Sequence, residues 1–259
     1  MSSIKNGSDF NNRIALFPSE KMIRLCSGLF EKIADVFQEA KDAGIQWASK
    51  EFLERLKDTN SLYRSDNTLL AAKIRDSAIK KHYENNEKLQ ISGFIDNQLA
   101  GKAAEVQMGC PLFGSNACGW VAAYNAFKNL KNKVSPADII SFFESNDYLI
   151  ADGAFGVNPL AFDHLFEVYG FSSSTVYFDA NDLDAKAKAA KTAILAYAYV
   201  DIGEKSVGAH FINLTWNEEK GKYVVYNDPD FSSISDYLSD NGYIFISLTS
   251  ISEREVQYV

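Results

Sequence analysis

The amino-acid sequence predicts an α+β fold, with helices in the first two-thirds of the chain and strands in the last third. In the first part, apolar residues recur at three- and four-residue steps, the spacing of one buried helix face. From residue 174 onward, short segments rich in β-branched and aromatic residues are separated by turn-forming residues. Separation of the two patterns along the chain is typical of an α+β fold.

Residues 1–100 form a predicted N-terminal helical region. Its longest apolar stripe spans residues 22–40, between a start signal at Pro18-Ser19 and a stop signal at Gly44. Shorter helical patterns follow around Phe52 and Ile74. An apolar face this broad must be covered, and we expect the rest of the chain to cover it. The region is then a lid or an inhibitory prosegment; a partner-binding module is the alternative.

The pattern changes near Gly109, so residues 101–259 form a second predicted domain. Helices are expected at residues 118–130, from Ser135-Pro136 onward, and at 159–169. Ser135 supplies a helix cap and Pro136 suits the first turn. Gly153 and Gly156 bracket a tight loop. Strands are expected at residues 174–178, 193–200, 210–216, 223–226 and 243–248.

Composition and charge exclude several classes of function. The chain has 34 acidic and 26 basic residues, so nucleic acid and anionic membranes are not expected partners. The longest apolar run, residues 193–200, is far shorter than the ~20 residues that cross a bilayer. No secretory signal is visible and the chain has 3 cysteines, which predicts a cytoplasmic protein without a disulfide framework. No ligand spacing indicates a metal, and no cofactor is expected.

Cys118 is the predicted nucleophile because it stands at the start of a predicted helix. Unpaired backbone N–H groups and the helix dipole favour a thiolate there, and the same N–H groups can bind an oxyanion. Ser115 and Asn116 are expected to cap this helix. Gly119 is expected to leave room for a substrate carbonyl. Asn125 shares the buried helix face and requires buried hydrogen-bond partners.

His210 is the predicted general base, since it opens an apolar strand that folds into a β-hairpin. With a turn centred on Glu219 and Lys220, His210 lies opposite Asp228 and Pro229. A carboxylate beside a histidine ring fixes its tautomer and stabilises its protonated form. Asp228 is therefore the predicted third member of a catalytic triad.

The remaining histidines and cysteines are expected to have no catalytic role. His82 lies in a charged helical segment and is predicted to be exposed, while His164 lies on the polar side of its helix. Cys26 belongs to an apolar stripe, where cysteine is commonly a packing residue. Cys110 precedes a proline in a loop and has no helix start behind it.

Residues 116–125 resemble the nucleophile helix of C39-like peptidases, which are papain-superfamily enzymes related to bacteriocin leader peptidases. Residues 208–212 and 226–229 are similar to the same family's histidine strand and terminal Asp-Pro motif. The resemblance covers about residues 109–248 and implies a papain-like catalytic domain at 101–259. It implies a bacterial cysteine peptidase with a peptide or protein substrate and no cofactor. By this resemblance Cys118 is the nucleophile, His210 the base and Asp228 the orienting acid, with Asn227 in support.

The chain departs from this family at Leu112, where the family carries an oxyanion glutamine six residues before its cysteine. Asn116 or Gln107 can take that role, and Asn116 is the closer. Acyl transfer or deamidation by the same residues is an alternative to peptide hydrolysis. The change at Leu112 also leaves a third alternative, a catalytically inactive binding module.

Overall fold

The computed structural model describes residues 35, 38–39, 42–46, 48–59, 69–109, 116–201 and 206–254. Within these ranges the protein is a mixed α+β structure with an antiparallel five-stranded sheet. The coarse fold class predicted from the sequence is therefore confirmed. Most of the predicted helix at 22–40, including Cys26, lies outside the described residues, as do Cys110, Leu112 and Ser115.

The helices and strands have the following bounds. The helices are α1 (Lys50–Arg55), α2 (Leu69–Glu87), α3 (Cys118–Asn129), α4 (Pro136–Ser145), α5 (Ala161–Val168), α6 (Leu183–Ala189) and α7 (Ile234–Asp240). Short 3₁₀ turns lie at Leu56–Thr59, Gly101–Glu105 and Ala151–Gly153. The strands are β1 (Phe171–Tyr177), β2 (Thr192–Asp201), β3 (Ser206–Asn217), β4 (Lys222–Tyr226) and β5 (Ile244–Glu253).

The sheet has the strand order β1-β5-β2-β3-β4, and every neighbouring pair is antiparallel. In the β3–β4 hairpin, Asn217 pairs with Lys222 and Asn213 pairs with Tyr226. This register centres the turn on Glu219-Lys220, as the sequence predicts. Every strand predicted from the sequence is present, although β1, β3 and β5 extend beyond their predicted ends.

β3 continues past the end of β4, and His210 lies in this extension. The last β3–β4 pair joins Asn213 to Tyr226, whereas β2 remains paired with β3 up to Ser206. At His210 the cross-strand partner is Tyr197 of β2. His210 is thus paired with β2 on one side of β3, whereas the pairing with β4 on the other side has already ended.

Helices cover both faces of the sheet because alternate strand residues enter two separate cores. In β2, Ile194 and Ala196 belong to the first core and Leu195 and Tyr197 to the second. The first core packs α3, α4 and α5 against the sheet, and the second packs α6 and α7 against its other face. Fully buried members of the first core include Trp120, Phe127, Phe143, Phe162 and Phe166.

Helix α4 begins as the sequence predicts. The Ser135 side chain accepts a hydrogen bond from the Asp138 backbone N–H, and the Asp138 carboxylate accepts one from the Ser135 N–H. This reciprocal capping fixes the start of α4, and Pro136 occupies its first turn.

Two short helices, α6 and α7, lie in the last third of the chain, where the sequence predicts mainly strands. Each has only 7 residues, about two turns, so too few apolar positions repeat to give a recognisable helical period. Helix α7 depends on a local cap, since the Ser233 side chain accepts a hydrogen bond from the Asp236 N–H. The sequence pattern therefore predicts neither helix.

Helices α1 and α2 pack against the remainder of the chain. Phe52, Leu53 and Leu56 form a small buried cluster with Ile150. The Asn158 amide donates a hydrogen bond of 2.6 Å to the Leu53 carbonyl. The described part of the N-terminal region therefore contacts the region that carries Cys118 and His210.

Candidate functional site

Cys118 is the first residue of α3, a helix whose first ten residues are all buried. The Cys118 side chain is 7% exposed, so the helix start brings its thiol to the edge of the core rather than to open surface. The N-cap residue is Ala117, and its side chain makes no capping hydrogen bond. The expected cap by Asn116 is therefore wrong.

Asn116 instead holds the neighbouring loop. Its amide nitrogen donates to the Ala154 carbonyl and lies 3.4 Å from the Gly153 carbonyl oxygen. Gly156 has a φ of 78°, and a side chain there would lie 3.5 Å from the Asn116 carbonyl oxygen. The Asn116 amide protons are thus directed at this loop, which argues against the predicted oxyanion role and leaves Asn116 a supporting residue.

Gly119 allows α3 to pack closely against Val157. A Cβ atom at Gly119 would lie 2.8 Å from the Val157 Cβ atom and 2.9 Å from its Cγ2 atom. Contacts this short are repulsive, so glycine is required for the approach of the two segments. The expectation that Gly119 leaves room for a substrate carbonyl beside the thiol stays a prediction.

Asn125 has the buried partners that its position requires. Its side-chain oxygen accepts a 2.9 Å hydrogen bond from the Ile95 N–H, and its side-chain nitrogen donates a 3.0 Å bond to the Ile95 carbonyl. Both polar groups of the fully buried amide are satisfied. The same two bonds fix the segment 91–98 against α3.

The half-buried ring of His210 makes a hydrogen bond with the Cys118 thiol. The backbone carbonyl of Asn227 accepts a second hydrogen bond from the ring. Burial alone lowers the pKa of His210, but the hydrogen bond and charge of Cys118 outweigh it, with help from Asp228 and Asn227. The net result is a His210 pKa above its ordinary value.

Asp228 acts on His210 through its charge, whereas its carboxylate is hydrogen-bonded to tyrosines. The Tyr197 hydroxyl donates to Oδ2 of Asp228 at 2.7 Å, and the Tyr237 hydroxyl donates to the same oxygen at 2.5 Å. Burial raises the pKa of both tyrosines, and the nearby carboxylate raises it further. The ring of His210 is therefore hydrogen-bonded to the Asn227 backbone, whereas the Asp228 carboxylate is bonded to the two tyrosine hydroxyls.

Asn227 is held in a left-handed conformation at the end of β4, with a φ of 72°. Its side-chain oxygen accepts a 3.2 Å hydrogen bond from the Gln98 N–H, and its side-chain nitrogen donates a 2.9 Å bond to the Gln98 side-chain oxygen. Gln98 carries no catalytic signal in the sequence, because it lies outside the segments that resemble C39-like peptidases.

The chain matches no protein-family model, and no curated protein sequence matches it significantly.

The other histidines lie apart from this site. His82 is 8% exposed, and its Nδ1 atom lies 2.6 Å from Oε1 of Glu144. The prediction that His82 is exposed is therefore wrong, since a carboxylate on α4 pairs with it across a buried contact. His164 is exposed, as predicted, and its Nδ1 atom lies 3.0 Å from the Tyr148 hydroxyl.

Gln107, the second candidate for an oxyanion donor, lies against α2. Its side-chain oxygen accepts a 3.1 Å hydrogen bond from Asn85. Its backbone N–H and carbonyl are both bonded to the Asn86 side chain. None of these three hydrogen bonds joins Gln107 to Cys118 or His210.

The geometry assembles a thiol, an imidazole and a fixed backbone carbonyl at the start of a buried helix. An imidazole hydrogen-bonded to a thiol can accept its proton, and the helix start stabilises the resulting thiolate. Across the described ranges, no group of three His, Cys, Asp or Glu side chains is placed to hold a metal ion. None of the described helices has both the length and the hydropathy to span a bilayer.

Proposed function

We propose that this protein is a cysteine peptidase in which Cys118 is the nucleophile and His210 its base. The observation that carries the proposal is the hydrogen bond between the Cys118 thiol, at the start of α3, and the His210 ring. A cysteine that only fills a core has no need of an imidazole partner. A helix start and an adjacent imidazole are the two features that activate a thiol for attack.

The surrounding fold supports a papain-like arrangement of residues 101–259. A buried nucleophile helix packs on an antiparallel sheet that carries the histidine, and the order along the chain is Cys, His, Asp. Substrate peptides and a reducing, cytoplasmic setting belong to the same proposal, since an unoxidised thiol is required for each turnover.

The reaction begins when the Cys118 proton passes to His210 and the thiolate attacks the carbonyl carbon of a peptide bond. Backbone N–H groups at the start of α3 are the candidate donors to the oxyanion of the tetrahedral intermediate. The imidazolium of His210 then protonates the leaving amine as the C–N bond breaks, which leaves a thioester on Cys118. His210 next removes a proton from water, whose attack releases the carboxylic acid and restores the thiol.

Two features of the site favour proton transfer by His210. The Asn227 carbonyl binds one ring N–H and so leaves the other ring nitrogen to face the thiol. The charge of Asp228 stabilises the imidazolium that forms when the thiol is deprotonated. A fixed tautomer and a stabilised cation are the two contributions that an orienting acid makes in a catalytic triad.

The proposal is tested by incubating the protein with a peptide library and analysing both peptides and protein by mass spectrometry. We expect cleaved peptides and an acyl adduct on Cys118, both absent in Cys118→Ala. The control variant Cys26→Ala, which removes a different thiol, is expected to retain cleavage. Persistence of cleavage in Cys118→Ala would disprove the assignment.

The same experiment distinguishes the alternative functions. Transfer of the acyl group to an added amine, with little free acid, would indicate an acyltransferase. A mass gain of about 1 Da at peptide glutamine residues without chain cleavage would indicate a deamidase, since an amide becomes an acid. Absence of any adduct or turnover in the parent protein would favour a catalytically inactive binding module.

A further inference from the structure

We propose that Gln98 is a positioning residue for His210 and acts through Asn227. The inference rests on the proposed function, because it concerns the base of the Cys118–His210 pair. It assigns a site role to the segment 91–98, which lies outside the part of the chain that resembles C39-like peptidases.

The backbone of Asn227 must be held in place by its surroundings. A φ of 72° is uncommon for a residue with a side chain, although asparagine tolerates it better than most. Both ends of the Asn227 side-chain amide are bonded to Gln98, at 3.2 Å and 2.9 Å. The Asn227 carbonyl is hydrogen-bonded to the His210 ring. The two hydrogen bonds between Asn227 and the Gln98 backbone and side chain therefore hold the residue that orients the ring.

Gln98 is itself anchored at two places within its segment. Ile95 exchanges two hydrogen bonds with Asn125 in the middle of α3. The Phe94 ring stacks on the ring of Tyr226, the residue before Asn227, at a centroid distance of 4.1 Å and an interplanar angle of 0°. The segment therefore joins the helix that carries the thiol to the strand end that orients the base.

This arrangement assigns separate tasks to two neighbouring residues. The Asn227 carbonyl sets the ring tautomer, because only a protonated ring nitrogen can donate to it. Asp228 contributes negative charge while its Oδ2 atom accepts two tyrosine hydroxyls. Loss of the Gln98 side chain is expected to loosen the tautomer-setting contact and leave the Asp228 charge in place.

The test measures the rate of Cys118 alkylation by iodoacetamide from pH 5 to pH 9, with the labelled peptide quantified by mass spectrometry. In the parent protein, pairing with His210 is expected to keep Cys118 reactive at pH 6, where an ordinary thiol is mostly protonated. Gln98→Ala is expected to lower the rate at pH 6 about threefold to tenfold, as for the loss of one hydrogen bond. At pH 9, where the thiolate forms without help from the imidazole, the rates are expected to agree within about twofold.

Four further variants separate this role from a general effect on folding. Gln98→Glu keeps a side-chain oxygen for the Asn227 amide and is expected to retain at least the parent rate at pH 6. Asn227→Gly adopts a positive φ without strain but loses both hydrogen bonds to Gln98, so its alkylation rate at pH 6 is expected to fall at least as far as that of Gln98→Ala. The double variant Gln98→Ala/Asn227→Gly is then expected to have the same alkylation rate at pH 6 as Asn227→Gly alone. Asn85→Ala removes a comparable side-chain amide contact, to Gln107 at 3.1 Å, and is expected to have the alkylation rate of the parent at pH 6 and at pH 9.

The possible outcomes distinguish failure of this inference from failure of the proposed function. A parent that is reactive at pH 6, with Gln98→Ala and Asn227→Gly giving the same profile as the parent, would overturn the role of Gln98 alone. A parent Cys118 that titrates like an ordinary thiol would overturn both proposals. If Gln98→Ala does not fold, as judged by thermal unfolding, Asn227→Gly and Gln98→Glu decide the question.

Discussion

Three different groups act on the ring of His210, each in a different way. The Cys118 thiol and the Asn227 carbonyl make hydrogen bonds to it, and Asp228 acts through its charge. Hydrogen bonds depend on direction and contact, whereas charge acts over a longer distance and weakens with dielectric screening. Substitutions at these positions should therefore differ in the size of their effect.

Replacement of Asp228 by asparagine is expected to have a moderate effect. Asp228→Asn removes the charge but keeps an oxygen for the Tyr197 and Tyr237 hydroxyls, so the alkylation rate of Cys118 at pH 6 should fall within about tenfold. Loss of a carboxylate that directly orients a catalytic histidine costs about 10⁴-fold in turnover. A fall of roughly a hundredfold or more, close to the rate of an ordinary thiol at pH 6, would show that the Asp228 carboxylate orients the ring directly.

His210 also predicts a pH dependence of stability. Its pKa is raised in the folded protein, so the folded state binds the proton more tightly than the unfolded state, whose histidine pKa is about 6.5. This stabilisation is complete below about pH 6.5 and disappears as pH rises through the folded-state pKa. The difference in unfolding free energy between the parent and His210→Gln, measured in urea, should be larger at pH 5 than at pH 8.5. An equal difference at both pH values would contradict the raised pKa.

Local signals in the sequence suffice to predict some of the site residues. Cys118 is recognisable from the helix that starts there, and extrapolation of the hairpin register past its last pair, Asn213–Tyr226, leads from His210 to the neighbourhood of Asp228. Gln98 is not recognisable, because its bonds to Asn227 join positions 129 residues apart without a periodic pattern. His82 is similar, since its lysine neighbours predict an exposed face and its partner Glu144 lies 62 residues away.

At the scale of secondary-structure elements, a buried carboxylate on α4 joins α2 to the backbone at Gly109. Oε1 of Glu144 lies 2.6 Å from His82 and accepts a 2.7 Å hydrogen bond from the Gly109 N–H. Gly109 has no room for a side chain, because a Cβ atom there would lie 2.1 Å from the Asp152 carbonyl oxygen. Three parts of the chain thus meet at one carboxylate.

Removal of this carboxylate is expected to destabilise the protein. Glu144→Ala leaves the buried Gly109 N–H and His82 ring without their acceptor, which should lower the unfolding free energy by about 2–4 kcal/mol. Chemical denaturation measures the change. The control Glu84→Ala removes a carboxylate that is exposed and 3.9 Å from Lys80, and should cost less than about 0.5 kcal/mol. Equal losses in the two variants would contradict the structural role of Glu144.

Elements with a strong local pattern were the predictable ones. The start of α4 combines Ser135, Pro136 and Asp138 in a recognised cap, and the β3–β4 hairpin has a turn flanked by apolar strands. Helices α6 and α7 are stable because each buries apolar residues against the sheet, through Leu183 and Ile234 among others. Since that burial depends on tertiary contact, a short sequence window does not contain it.

At the scale of the whole molecule, the N-terminal helices and the region around the site share buried contacts. Besides the Glu144 contact, Arg75 of α2 lies 2.9 Å from Asp147 and donates to the Glu144 carbonyl at 2.7 Å. The cluster of α1 with Ile150 adds an apolar contact. These contacts support intramolecular packing for the described helices. The apolar stripe at residues 22–40 is largely outside the described residues, so its cover remains a prediction.

A truncated chain beginning at Ile91 is expected to fold poorly. Removal of α1 and α2 exposes Ile150 and leaves Glu144 without its partner His82. Soluble yield and thermal unfolding temperature should therefore both fall. Soluble expression and a thermal melt, together with the Cys118 alkylation rate, measure the effect. A soluble truncated protein with the parent's alkylation rate would show that α1 and α2 are dispensable for the site.

The position of β5 has a consequence for how the protein is made. This strand comes last among the described elements, yet it lies inside the sheet between β1 and β2. A ribosome has therefore released residues 244–253 before β2 can gain its second neighbour and support the strand that carries His210. During synthesis the start of α3 emerges before the strand that carries His210, so the contact between Cys118 and His210 forms only after the strands of the sheet have left the ribosome.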